Sequence, residues 1–191
     1  MSAPVAQTAF EREPAGGGEF RGADAALRDG RVVHLRSIRA SDEAEVVQAF
    51  ERLSPDARYM RFMRVVKAPD LERLRKTLAA FPCGGDTIIA TVPAADGIDI
   101  VGSAVLVLAS NAPYGEFALS VAAEYGAVGL GGTLMTTLID TAKVRGLEEI
   151  EGFVLAENAP MLRLAERLGF SVAPDPDDRA VRICRLRLGS P

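Results

Sequence analysis

A chain of 191 residues with 48% hydrophobic and 25% charged residues has ordinary globular composition and enough length for one domain with a sizeable core. Its net charge of −4 excludes a broad basic footprint for nucleic acid, and no apolar run reaches bilayer-spanning length. Two cysteines, Cys83 and Cys184, and a single histidine, His34, exclude a zinc site or a disulfide framework. A cytoplasmic protein with no secretory leader, no metal and no membrane or nucleic-acid partner is expected.

Residues 1–30 carry Gly16-Gly17-Gly18 and no sustained periodicity, which predicts a flexible tail ahead of a domain over 31–191. Val32 to Leu35, extended by Ile38, reads as a first strand. Ser41 or Asp42 then offers a helix cap with Glu45 reaching back, and Val46, Val47, Phe50 and Leu53 follow at helical spacing. Further helices are predicted over 56–66 and 70–80. Thr87 to Val92 and Ile98 to Leu108 form two strands joined by a hairpin at Ala95-Asp96-Gly97. Asn111 to Tyr114 turns the chain into a strand over Gly115 to Val121.

Next comes Gly126-Ala-Val-Gly-Leu-Gly-Gly-Thr133, between that strand and a helix expected to start near Thr133 and to stop at Gly146. Glycines let backbone amides face outward, and a helix start adds its positive dipole end, so the loop reads as a phosphate or pyrophosphate site. Ile150 to Leu155 is a further strand. Asn158 caps a helix striped by Met161, Leu164, Ala165 and Leu168 and closed by Gly169, and a last strand spans Val181 to Leu188. The order of elements predicts an α+β domain whose mixed, mostly antiparallel sheet is flanked by helices.

Three phosphate-loop patterns compete for 126–133. A P-loop needs a lysine where Gly132 stands, and the dinucleotide fingerprint needs a third glycine where Leu134 stands. The third pattern carries a resemblance. Gly129-Leu-Gly131 resembles the coenzyme A signature of the GNAT superfamily of N-acetyltransferases, and Asn158 with Leu168-Gly169-Phe170 resembles that superfamily's second motif. Leu53-Ser-Pro-Asp-Ala-Arg-Tyr-Met-Arg-Phe62, Glu116-Phe-Ala118 and Glu151-Gly-Phe-Val-Leu-Ala-Glu-Asn158 look like the acetyltransferase domain of Pat-type bacterial protein lysine acetyltransferases. The similarity covers roughly residues 30–188.

The resemblance implies a GNAT-like fold and acetyl-CoA as co-substrate. It implies that Ala127, Val128, Gly129, Leu130, Gly131, Gly132 and Thr133 cradle the pyrophosphate, with Asn158 nearby. It further implies that Leu119, Ser120 and Val121 bond the pantetheine arm like an added strand, with a backbone N–H near Ser120 or Val121 serving the oxyanion. Transfer to an amine requires removal of a proton from an ammonium whose reference pKa is about 10.4. By its residue type alone Glu116 is an exposed strand-edge glutamate; the resemblance makes it the general base, ahead of Glu151 and Glu157. With one early histidine and no base identifiable for either cysteine, direct attack by the amine is expected rather than a covalent enzyme intermediate.

Two positions depart from the superfamily pattern: Gly126 stands where Gln or Arg is common, and Ala165 where many members carry a tyrosine acid. The expected activity is acetyl or short acyl transfer to a primary amine, with a protein lysine as leading acceptor and a monomer or homodimer as the working unit. A small-molecule amine acceptor and a non-catalytic acyl-CoA-binding role are the alternatives. Arg58, Arg61, Arg64 and Lys67 read either as a solvated helix face or as a docking surface or 3′-phosphate contact.

Overall fold

The computed structural model describes residues 20, 22–81, 83–95, 97–108 and 113–189. Among these residues eight strands form one sheet: β1 (Ala23–Ala26), β2 (Val32–Ser37), β3 (Gly85–Ala94), β4 (Gly97–Leu108), β5 (Tyr114–Val121), β6 (Glu149–Leu155), β7 (Ser171–Pro174) and β8 (Val181–Arg187). Their order is β1-β2-β3-β4-β5-β6-β8-β7, antiparallel throughout except for the parallel β5–β6 pair. Five helices accompany them: α1 (Glu43–Arg52), α2 (Pro55–Phe62), α3 (Leu71–Ala80), α4 (Leu130–Val144) and α5 (Ala159–Arg167). Among the described residues no helix is long and apolar enough to cross a membrane.

Alternation along the strands divides the core between two faces. Val33, Leu35, Ile88, Ala90, Ala104 and Leu106 join Leu134, Met135, Leu138 and Ala142 of α4 in one cluster. Ile89, on the opposite pleat of β3, is fully buried outside that cluster. α1 packs on β4 and α2 reaches β5. Arg145, just past α4, pairs with buried Asp86 at the start of β3 and so ties the end of that helix to the sheet.

Several elements depart from the reading of the sequence. Residues 1–19 of the expected tail lie outside the described residues, but Ala23–Ala26 is an edge strand registered on Val32–Leu35, so the ordered chain begins before Arg31. Its Ala-rich composition hides a strand that the hairpin creates: Gly30 takes φ +86°, and Ala25 and Leu27 are buried. The expected cap at Ser41-Asp42 is also replaced. Asp42 turns back to accept two bonds of 2.7 Å from the Arg36 guanidinium and one of 2.7 Å from the Arg39 N–H, and makes no side-chain cap bond to α1. α2 stops at Met63, which takes φ +51° and donates to Tyr59 O, short of the expected end at 66. Asp96 of the hairpin and 109–112 of the following turn lie outside the described residues.

Candidate active site

β5 and β6 run side by side only briefly. Their register covers Tyr114 with Glu149, Gly115 with Ile150 and Glu116 with Glu151. β5 continues to Val121 and β6 to Leu155, so beyond Glu116 the strands part. Phe117 lays its ring against the next β6 residue, Gly152, where a Cβ would come within 2.6 Å of the ring, and its centroid lies 5.0 Å from that of Phe170. The gap opens into a cleft of about 840 Å³. Phe117 to Val121 and Phe153-Val154 form its strand walls, Leu53, Ala57, Met60 and Arg61 approach from the first two helices, and α5 closes the other side.

The parting leaves backbone groups of β5 facing the cleft. The Ala122 N–H donates to Val101 O of β4 at 2.9 Å. Because peptide directions alternate along an extended chain, the N–H groups of Val121 and Leu119 turn the other way, into the gap. Leu119, Ser120 and Val121 all line the cleft. Glu116 sits exposed at the rim, on the same pleat as Ala118 and Ser120 and one residue before the lining begins.

The glycine loop is shorter than the sequence implies. After a 3-10 turn over Ala123–Tyr125, α4 starts at Leu130 behind Gly129, which takes φ +99°. Helix geometry leaves the N–H groups of Leu130, Gly131 and Gly132 without intrahelical acceptors, whereas the Thr133 N–H is already bound to Gly129 O at 3.1 Å. A Cβ on Gly131 would stand 3.3 Å from Leu164 and 3.4 Å from Leu119, so glycine keeps this backbone open to the cleft. Ala127, Gly129, Gly131 and Gly132 line the cleft with Gly126. Val128, Leu130 and Thr133 do not: Leu130 is a core residue, Val128 packs against the core, and the Thr133 hydroxyl bonds Gly129 O at 3.3 Å. Asn158 lines the cleft while its Oδ1 accepts from Met161 N at 3.2 Å as the cap of α5. Ala165, fully buried, packs in the core and presents no acid to the cleft.

Charge around the cleft is uneven. Among the described residues Arg28, Arg61, Arg163 and Arg167 line it and no carboxylate does, although the whole chain is acidic. Arg28, Arg163 and Arg167 escape the reading of the sequence; Arg28 falls in the expected tail, and the two α5 arginines lie opposite that helix's apolar stripe. The basic row on α2 also splits. Arg58 donates to the carbonyls of Glu51 (2.9 Å) and Lys67 (3.2 Å) and stacks on Phe50, a packing role. Arg61 turns into the cleft, where burial lowers its pKa and the nearby Glu116 carboxylate offsets part of that cost. The other two acidic candidates separate as well: Glu151 accepts from Arg185 Nε at 3.0 Å, and Glu157 is exposed.

Residues 33–171 match the family model described as Acetyltransferase (GNAT) domain. Acetyltransferase PA5475 of Pseudomonas aeruginosa is 31% identical over 162 residues, covering 85% of this chain and 87% of its own. Among solved structures, the GNAT domain of S. lividans PAT superposes with a TM-score of 0.79 at 18% identity, over 92% of this chain and 99% of that one. YncA of Salmonella typhimurium, a putative acetyltransferase solved with its cofactor acetyl-CoA, gives 0.62 at 19% identity over 83% and 95%. The parted strands, the glycine-headed helix and these matches together make the chain a member of the GNAT family, with the GNAT fold and the activity of an N-acetyltransferase.

Proposed function

We propose that the chain transfers an acetyl or short acyl group from acyl-CoA to a primary amine, with a protein lysine as leading acceptor and Glu116 as general base. The observation that carries the reading is the end of the β5–β6 ladder at Glu116. There a free strand edge and a glycine-lined helix start meet in one cleft that also opens toward α1 and α2.

The residues fit coenzyme A. The free N–H groups of Gly131 and Gly132 suit a pyrophosphate, and the outward N–H groups of Leu119 and Val121 suit two carbonyls of an acylated pantetheine arm, one its amide and one its thioester. Acetyl-CoA supplies the acyl group as a thioester already activated toward amines. Glu116, directly or through water, takes the proton from the acceptor nitrogen, and the strand N–H that meets the thioester donates to its carbonyl oxygen as negative charge develops there. The N–C bond forms and the C–S bond breaks. The departing sulfur, with a thiol pKa near 8.5, leaves as thiolate and takes its proton from water, so buried Ala165 is no obstacle. Two unpaired thiols, Cys83 and Cys184, agree with a cytoplasmic setting.

The resemblance of residues 53–62, 116–118 and 151–158 to Pat-type lysine acetyltransferases supports the lysine acceptor. Arg61 favours a second reading. A guanidinium withdrawn into the cleft beside Glu116 suits an acceptor that brings its own carboxylate, as a small amino acid does. Release of CoA thiol, measured with lysine-bearing proteins and with a panel of small amines and amino acids, separates the two. Turnover with proteins alone supports the first reading, and turnover with amino acids alone supports the second. No turnover with any acceptor, despite tight acetyl-CoA binding, overturns both.

A further inference from the structure

We propose that Arg28, on the turn joining β1 and β2, supplies the cationic grip on the pyrophosphate of coenzyme A that the glycine loop cannot supply itself. The inference rests on the coenzyme reading of the cleft. It makes the N-terminal hairpin a working part of that site.

The hairpin turn holds the loop at three points. The Arg28 N–H donates to Val128 O at 3.0 Å, Arg31 Nη2 donates to Glu124 O at 2.7 Å, and the Arg31 guanidinium lies 3.9 Å from the centre of the Tyr125 ring. Turn bonds from the Leu27 N–H to Arg31 O (2.8 Å) and from the Gly30 N–H to Leu27 O (3.0 Å) stiffen this contact, and buried Leu27 anchors it. The Arg28 side chain then runs along Gly129. A Cβ there would lie 3.5 Å from Nε and 3.6 Å from Cγ of Arg28.

This position puts the side chain beside Gly129, at the positive end of α4, in the cleft that Gly131 and Gly132 also line. Arg28 is solvent-exposed there, and an anion at the helix start would gain from both the guanidinium and the dipole. Among the described residues no carboxylate bonds to Arg28, and none lines the cleft. With glycine at 126, 129, 131 and 132, the loop offers amides and no side-chain charge. Arg28 completes the set: amides on one side of a phosphate group and a planar, bidentate donor on the other. Arg163 and Arg167 approach the same cleft from α5.

The test is equilibrium titration of CoA and of dephospho-CoA, which lacks the 3′-phosphate, into the wild type, Arg28→Ala and Arg28→Lys. Arg28→Ala should bind both ligands about tenfold more weakly, as expected for one charge-assisted contact. Arg28→Lys should recover only part of the loss, because an ammonium keeps the charge without the fork. Ligand-free melting should stay unchanged in both variants. Unchanged affinity in Arg28→Ala overturns the proposal, as does a loss confined to CoA, which assigns the residue to the 3′-phosphate. Failure of the wild type to bind CoA overturns the coenzyme reading itself, and the proposal with it.

Discussion

Glu116 and Glu151 stand opposite each other as the last registered pair of β5 and β6, and only one of them is engaged by an arginine side chain at hydrogen-bonding distance. Residues in direct register share a face, so the two carboxylates point the same way at the point where the strands part. Arg185, registered on Glu151 across β6–β8, donates to it at 3.0 Å. This pairing keeps Glu151 structural and leaves Glu116 as the carboxylate at the rim. Glu151→Gln should therefore change kcat/KM less than about threefold. Because Arg185 is half exposed, the pair should contribute no more than about 1 kcal/mol to stability. Steady-state kinetics and a urea titration check both expectations.

Gly152 fixes how closely β6 passes Phe117. A methyl group there would meet three ring atoms within 2.9 Å, and the ring is itself held against Phe170. Gly152→Ala should destabilise the fold by about 1–3 kcal/mol through overpacking. For a domain of this size that shifts the melting temperature by roughly 5 °C. Because the strain falls at the mouth of the cleft, KM for acetyl-CoA should rise as well. A melting curve within 1 °C of wild type, roughly the resolution of the method, would refute the packing claim.

The Arg36–Asp42 pair predicts a weakness toward acid. Burial raises the Asp42 carboxyl pKa, but the Arg36 guanidinium and the Arg39 N–H outweigh it and hold the group below its ordinary value of 3.8. A depressed folded-state pKa contributes stability that is fully present above the unfolded value and is lost as pH falls through the folded one. Asp42→Asn, which leaves Arg36 buried without its counter-charge, should cost about 3 kcal/mol at neutral pH. The deficit against wild type should shrink below about pH 4. Denaturant midpoints measured between pH 7 and pH 3 check the sign.

The two thiols should react very differently. Cys83 is exposed, whereas burial among apolar neighbours pushes the Cys184 thiol up to about 11, with a smaller contribution from Glu166. At pH 8 a thiol reagent should modify one cysteine per native chain quickly and the second only after unfolding. Fast modification of both in the native protein would contradict the burial of Cys184.

Most strands were legible because β-branched runs such as Thr87 to Val92 carry strong strand preference and nothing in the fold opposes it. β1 was not: Ala23-Asp-Ala-Ala26 has weak strand preference, and its pairing comes from the hairpin and from the burial of Ala25 and Leu27. The start of α4 was placed three residues late because glycines at 131 and 132 weaken helix propensity. Close packing against Leu164 and Leu119 outweighs that cost. The cleft was legible in its loop and its β5 wall, largely through the family resemblance. Its cations were not, since Arg28 reaches the loop across the sheet and Arg61 turns inward from a row in which Arg58 packs against α1.

Proton removal by Glu116 is the central step of the proposed reaction. The direct measurement is kcat/KM for the best acceptor, in wild type and Glu116→Gln, from pH 7 to pH 10, with CoA affinity determined alongside. We predict a loss of at least about a hundredfold at pH 7 with CoA affinity unchanged. The gap should narrow as pH approaches the acceptor's own pKa, about 10.4 for lysine, where the amine deprotonates without help. Equal rates for the two proteins across the range would contradict the account.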